Sequence, residues 1–251
     1  MKKIGTYFTR SLLVLGLGTL LFPLSSPLRA GLFLEPERSE PPSTREEKRT
    51  FESCRRDAQK GDPEAMGNLG LRYAKGLGTP RDAKEAFKWL RKAARKGDAP
   101  SQNNLGFLYL KGQGVERDEA QALAWFEKAA AQGLPAAQKN LGLVYGRGMG
   151  VPKDLKRALI FFKQAAEWDD TEAQVNLGMM LSLGQGGPKD PIESYKWFTL
   201  ALKRGHNSDA QVAELRDNIE WLEKRMEGKD VAEAKKRADQ WKPVLEKTSD
   251  E

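Results

Sequence analysis

Few residues of this 251-residue chain have the types and spacing that catalysis requires. The single histidine, His206, excludes a multi-histidine metal site, and its Gly-His-Asn context is typical of a solvated turn. No serine is followed three positions later by lysine, and no glycine-rich loop carries a Walker lysine. We therefore predict no catalytic residue, no metal ligand and no small-molecule cofactor, and we expect a protein that is not an enzyme.

The only cysteine, Cys54, leaves no intramolecular disulfide to stabilise the fold. We interpret it as a small buried residue of the first helix and not as a reactive thiol. Carboxylates are abundant, but the recurrent ones have a structural explanation as helix caps. The search for chemistry thus leads to the elements that these residues build.

An internal repeat organises most of the chain. The triplet Asn-Leu-Gly recurs every 36 residues, beginning at Asn68, Asn104, Asn140 and Asn176. The same period carries a Gly-x-Gly turn, a large aromatic residue and an aspartate, the last at Asp82, Asp118, Asp154 and Asp190. A fixed period of this length is typical of a helical solenoid, in which stacked units complete one another's core.

Each repeat is predicted to hold two helices. Ala65, Leu69 and Tyr73 lie on one face of a first helix that ends at Gly76. Asp82 is placed to cap the second helix. Gly70 lies inside the first helix, where glycine costs about 1 kcal/mol against alanine, so we expect its partner helix to approach closely there.

We therefore expect an all-α fold, an α/α solenoid of four repeats with terminal capping helices. The predicted repeats cover 62–97, 98–133, 134–169 and 170–206, with an N-terminal capping helix at 45–61 and C-terminal capping helices over 207–251. Gly97 and Gly133 close the first two repeats, whereas Asp169 closes the third. The junction at Asp169 is expected to bend the array differently.

The pattern Ala-(x)3-Leu-Gly-(x)2-Tyr-(x)2-Gly-x-Gly, then Asp, then Ala-(x)2-Trp-(x)3-Ala-Ala, resembles the Sel-1-like repeat, a relative of the tetratricopeptide repeat. The resemblance covers about residues 62–206. It implies antiparallel helix pairs in a right-handed superhelix that acts as an adaptor for a protein or peptide. Some disulfide-rich members bind or hydrolyse β-lactams, so a cell-wall-directed binder or hydrolase stays an alternative, although the lone Cys54 separates this chain from that subgroup.

The first 30 residues have the composition of a secretory signal peptide. A basic start precedes an apolar run from Leu12 to Leu24, which is shorter than the roughly 20 residues of a membrane-spanning helix. Small residues lead to Ala30, and residues 31–44 form a proline-rich linker. We expect a periplasmic or secreted protein, with membrane contact only if the signal is retained as an anchor.

The net charge argues against nucleic acid as a partner. Residues 1–30 contain four basic residues and no acid, so removing them lowers the formal charge from +7 to +3. The remaining charges alternate along the helices and form no concentrated basic patch.

Two registers of the first helices vary between charged and apolar residues and have no predicted capping role. We predict that they line a partner-binding groove and that replacing Leu108 and Val144 with aspartate spares the fold. One register is Arg72, Leu108, Val144 and Met180, and the other is Lys75, Lys111, Arg147 and Leu183.

The ladder of Asn68, Asn104, Asn140 and Asn176 has two explanations. These amides either bind the backbone of a peptide or hydrogen-bond a neighbouring repeat. Because all four residues are identical, the structural role is favoured.

Overall fold

A computed structural model describes residues 44–204 and 208–244. The predicted signal peptide, linker residues 31–43 and His206 lie outside the described residues. The described helices run in this order: α1 Arg45–Gln59, α2 Pro63–Lys75, α3 Ala83–Arg95, α4 Ala99–Lys111, α5 Glu119–Ala131, α6 Pro135–Arg147, α7 Leu155–Glu167, α8 Thr171–Leu183, α9 Pro191–Lys203, α10 Asp209–Glu223 and α11 Gly228–Gln240.

The predicted α/α solenoid is confirmed. We call α2, α4, α6 and α8 the A helices, and α3, α5, α7 and α9 the B helices. Each A helix packs most extensively on the B helix that follows it, and the first three B helices also pack on the next A helix. At the N-terminal end α1 packs on α2, and at the C-terminal end α10 and α11 both pack on α9.

The helix ends follow from the repeated glycine and aspartate. Gly76 ends α2 with a φ of 71°, a left-handed conformation that glycine adopts without a Cβ penalty, and its equivalents end α4, α6 and α8. Asp82 then accepts hydrogen bonds from the backbone N–H groups of Lys84 and Glu85, at 2.9 and 3.0 Å. The same cap begins each B helix, as the repeated aspartate predicts.

The expectation that Asp169 changes its junction is not supported by the backbone. Asp169 has a φ of 71°, in the left-handed region that Gly97 and Gly133 occupy in the earlier repeats. Its carboxylate accepts a hydrogen bond from Gln174 Nε2 at 3.0 Å and forms an ion pair with Arg204. Aspartate is among the residues that enter this region most readily, so the side chain replaces the glycine without altering the turn.

Candidate functional site

The register that begins at Arg72 is an open surface only in the first repeat. Leu108, Val144 and Met180 are 0%, 1% and 2% exposed and belong to the main hydrophobic core. Their predicted place in a groove is therefore wrong. These three residues are buried in the core that successive repeats form together, and only Arg72, in the first repeat, stays half-buried.

The register that begins at Lys75 is exposed along the whole array. Lys75, Lys111 and Arg147 are exposed, and Leu183 exposes 48% of its surface. We call these four residues the exposed strip. Each occupies the last position of its A helix, immediately before the left-handed glycine. The strip is basic over three repeats and apolar in the fourth.

The asparagine ladder is structural in the middle of the array. Asn140 is 5% exposed, and its Nδ2 donates to Oδ1 of Asn103 on the preceding A helix at 2.8 Å. Asn104 is 7% exposed. Asn176 donates to the carbonyl oxygen of Glu172 in its own helix at 2.8 Å, whereas Asn68 is exposed. The favoured structural role therefore fits the inner asparagines, and Asn68 alone faces an open surface.

A cavity of about 610 Å³ lies between α1 and α2, and three predicted site residues, Asn68, Arg72 and Lys75, line it. The other lining residues are not in the predicted set: Thr50, Ser53, Cys54, Asp57, Asp62, Glu64, Ala65, Leu71 and Leu77. The sequence gives only indirect evidence that these residues line a cavity. Residues 45–60 resemble the second half of a repeat, and within the described residues no A helix precedes α2.

Cys54 lies on the wall of this cavity, and its thiol is not activated. The Sγ atom donates to the carbonyl oxygen of Ala65 at 3.3 Å. Burial raises the pKa of the thiol, and this effect outweighs the opposing positive charge of Arg72. A neutral thiol is a poor nucleophile, so the surroundings of Cys54 favour a packing role.

Metal sites and membrane-spanning helices can both be assessed in the described residues. Within the described residues, no three histidine, cysteine, aspartate or glutamate side chains come together as a metal site requires. No helix of the same residues is long and apolar enough to cross a membrane.

A buried lysine joins the last two repeats, and sequence reasoning did not find it. Lys139 on α6 is 5% exposed, and its Nζ atom lies 3.0 Å from Oδ2 of Asp170 and 3.1 Å from Oε2 of Glu172. Both carboxylates belong to the start of α8. Asp170 also caps this helix, accepting from the N–H of Ala173 at 2.9 Å. One A helix thus binds the acidic N-terminal end of the next.

Four segments match the model of the Sel1 repeat family, at residues 63–98, 99–134, 135–167 and 171–206. The chain belongs to the Sel1 repeat family. A Sel1 repeat protein from Oxalobacter formigenes has a similar structure, with 30% identity and a TM-score of 0.61 over 71% of this chain and 80% of that one. Sel1 repeat proteins are generally scaffolds for protein interaction and not catalysts.

A second similar structure is a protective antigen of uropathogenic Escherichia coli that displays an SLR fold. It is 28% identical with a TM-score of 0.50, over 79% of this Sel1 repeat protein and 50% of the antigen. This chain therefore spans about half the antigen's length. No curated protein matches the sequence significantly.

Proposed function

We propose that this Sel1 repeat protein is an exported adaptor without catalytic activity, which holds a protein or peptide partner along the exposed strip. The observation that carries the proposal is the strip itself. Its four side chains recur at one register, remain exposed in every repeat, and change from basic to apolar along the array. An extended surface of this kind is what solenoids offer to partners.

The charge of the strip selects the partner. Three basic side chains in sequence attract a segment with carboxylates, and Leu183 offers an apolar contact at the far end. Each basic residue also lies in the last turn of its helix, where a positive charge is worth about 0.3–1 kcal/mol through the helix dipole. Leu183 cannot serve that purpose, so the dipole does not account for the whole strip.

The export part of the proposal rests on residues 1–30, whose basic start, apolar run and small-residue end are those of a signal peptide. Removal of these residues leaves a chain that begins near Gly31. The repeats then act in the periplasm or outside the cell.

The experiment compares three versions of the chain as baits for proteins of the cell envelope. The baits are recovered from the envelope fraction of cells that express all 251 residues, and the mass of each reports whether residues 1–30 are gone. The strip variant carries Lys75→Gln, Lys111→Gln and Arg147→Gln. The matched control carries Lys92→Gln, Arg95→Gln and Lys128→Gln, which removes the same charge from the last turns of B helices.

We expect mass spectrometry to find a protein that the wild type and the control retain and the strip variant loses. Equal retention by all three baits would remove the strip from the proposal. Retention on isolated peptidoglycan without any specific protein would replace the adaptor with a cell-wall binder. A chain that keeps its unprocessed mass and occurs only in the cytoplasmic fraction of the same cells would overturn the export.

A further inference from the structure

The contacts between successive A helices follow one rule. In repeats 1, 2 and 3 the residue at the register of Gly67 contacts the next A helix. At Gly67 an added Cβ would collide with Oγ of Ser101 and lie 3.2 Å from Oδ2 of Asp98, so α2 and α4 approach closely there. Asn103 accepts the hydrogen bond from Asn140. Lys139 binds Asp170 and Glu172.

The first repeat carries the same acidic pair as the last one. Asp62 and Glu64 occupy the positions that Asp170 and Glu172 occupy in repeat 4, whereas repeat 2 has proline at the second position and repeat 3 has neither acid. In repeat 4 this pair holds the ammonium group of Lys139, whose side chain is 7% exposed. In repeat 1 both carboxylates are exposed, and within the described residues no A helix precedes α2.

Other residues on this face of α2 are also more exposed than their equivalents in the later repeats. Asn68 is exposed, but its equivalents Asn104 and Asn140 are only 7% and 5% exposed. Arg72 is half-buried, but its equivalent Leu108 is completely buried. The cavity between α1 and α2 therefore occupies the place where another A helix would pack, and we call it the helix slot.

The dimensions and charges of the slot define what fits. Its lining extends along α2 from Glu64 to Lys75, which is about 16 Å of helix, or three turns. Asp62 and Glu64 make one end acidic, Arg72 and Lys75 make the other end basic, and Leu71 and Leu77 add apolar surface. Leu77 exposes 38% of its surface.

We infer that the helix slot binds one amphipathic helix of a partner protein, which lies on α2 as α6 lies on α8. The helix carries a lysine for Asp62 and Glu64, an apolar residue one turn later as Leu143 follows Lys139, and a carboxylate at its C-terminal end for Arg72 and Lys75. This inference rests on the proposed function, because it requires a protein partner, and it adds a second contact beyond the exposed strip.

A helix taken from the chain itself serves as the probe. The peptide has the sequence of residues 134–147 with Arg147→Glu, so that its last turn is acidic, and a side-chain staple on its solvent face holds it helical. A fluorescent label reports binding to the full chain through anisotropy. We expect saturable binding, because the same sequence occupies the equivalent face of α8.

Charge exchange makes the test specific. Lys139→Glu in the peptide, or Glu64→Lys in the protein, is expected to weaken binding about tenfold, and combining the two changes is expected to restore most of it. Glu64 is exposed and Asp62 keeps the helix cap, so circular dichroism should show an unchanged fold. Glu116→Lys makes the same charge change at an exposed residue outside both the slot and the strip, so it is the matched control and should leave the dissociation constant unchanged.

Absence of binding, or a combined exchange that fails to restore it, would overturn the inference. Sedimentation that shows self-association of the full chain, abolished by Glu64→Lys, would assign the slot to a second copy and overturn it too. A chain that binds its envelope partner through the strip but ignores the peptide would leave the proposed function standing without the slot.

Discussion

At the residue scale, one glycine per repeat sets the distance between the two helices. A Cβ added at Gly106 would lie 2.9 Å from the ring of Phe126 and 3.0 Å from the carbonyl oxygen of Ala122. The same close approach occurs at Gly70, Gly142 and Gly178, in each case against the B helix of the same repeat. The predicted packing reason for a glycine inside a helix is therefore confirmed.

This contact predicts that Gly106→Ala destabilises the protein. Alanine gains about 1 kcal/mol of helix propensity, but overpacking against a backbone carbonyl that cannot rotate away costs about 1–3 kcal/mol. We expect a lower urea midpoint for Gly106→Ala and a larger loss for Gly106→Val. Gly228→Ala, where no atom lies within 4 Å of the added Cβ, is the control and should not lower the midpoint. An unchanged midpoint for both Gly106 variants would show that the helices can separate without cost.

At the element scale, the junction between α6 and α8 depends on a lysine that is almost completely buried. Lys139 bridges Asp170 and Glu172, and Asp170 also caps α8. Removal of one partner from a fully buried ion pair costs about 3–5 kcal/mol. The side chain of Glu172 is 37% exposed, so water screens part of this interaction.

We therefore expect Lys139→Met to lower the free energy of unfolding by about 1–3 kcal/mol, less than for a fully buried pair. Lys139→Arg keeps the charge and should lower it less. Hydrogen exchange should rise first in the initial turn of α8, which loses the contact. A Lys139→Met protein as stable as the wild type would mean that apolar packing replaces the ion pair completely.

The elements also show which features were predictable from sequence. The glycine that ends each A helix and the aspartate that caps each B helix make contacts within one repeat, so their period predicts the solenoid. The burial of Leu108 and Val144 depends on stacking between repeats. Variation between charged and apolar residues at their register therefore does not indicate an exposed surface. On α4 and α6 nearly every central residue is buried, so no polar stripe distinguishes the inner face from a surface.

At the scale of the whole molecule, the described residues form a core of three clusters. The main cluster extends from Ala74 on α2 to Ala238 on α11, with smaller clusters at the two ends. The C-terminal cluster joins α10 and α11 to α9 through Phe198, Leu222 and Ala234. Because each solenoid unit depends mainly on its neighbours, an end can loosen while the middle stays folded.

The prediction that aspartate at positions 108 and 144 leaves the fold intact is wrong, because both residues lie in the main cluster. Val144 is 1% exposed in the middle of the main cluster, so Val144→Asp places a charge where no solvent reaches it. We expect this variant to lose protection from hydrogen exchange in all four repeats.

Leu222→Ala in the C-terminal cluster is the contrasting change. Truncation of a fully buried leucine costs about 2–5 kcal/mol, here taken from the contacts that hold α10 and α11 on α9. Native-state hydrogen exchange should rise in α10 and α11 and stay at the wild-type level in α4 to α7. A uniform rise in hydrogen exchange across all helices would instead mean that the array and its C-terminal helices unfold as one cooperative unit. The exchange profiles of Val144→Asp and Leu222→Ala would then differ only in magnitude.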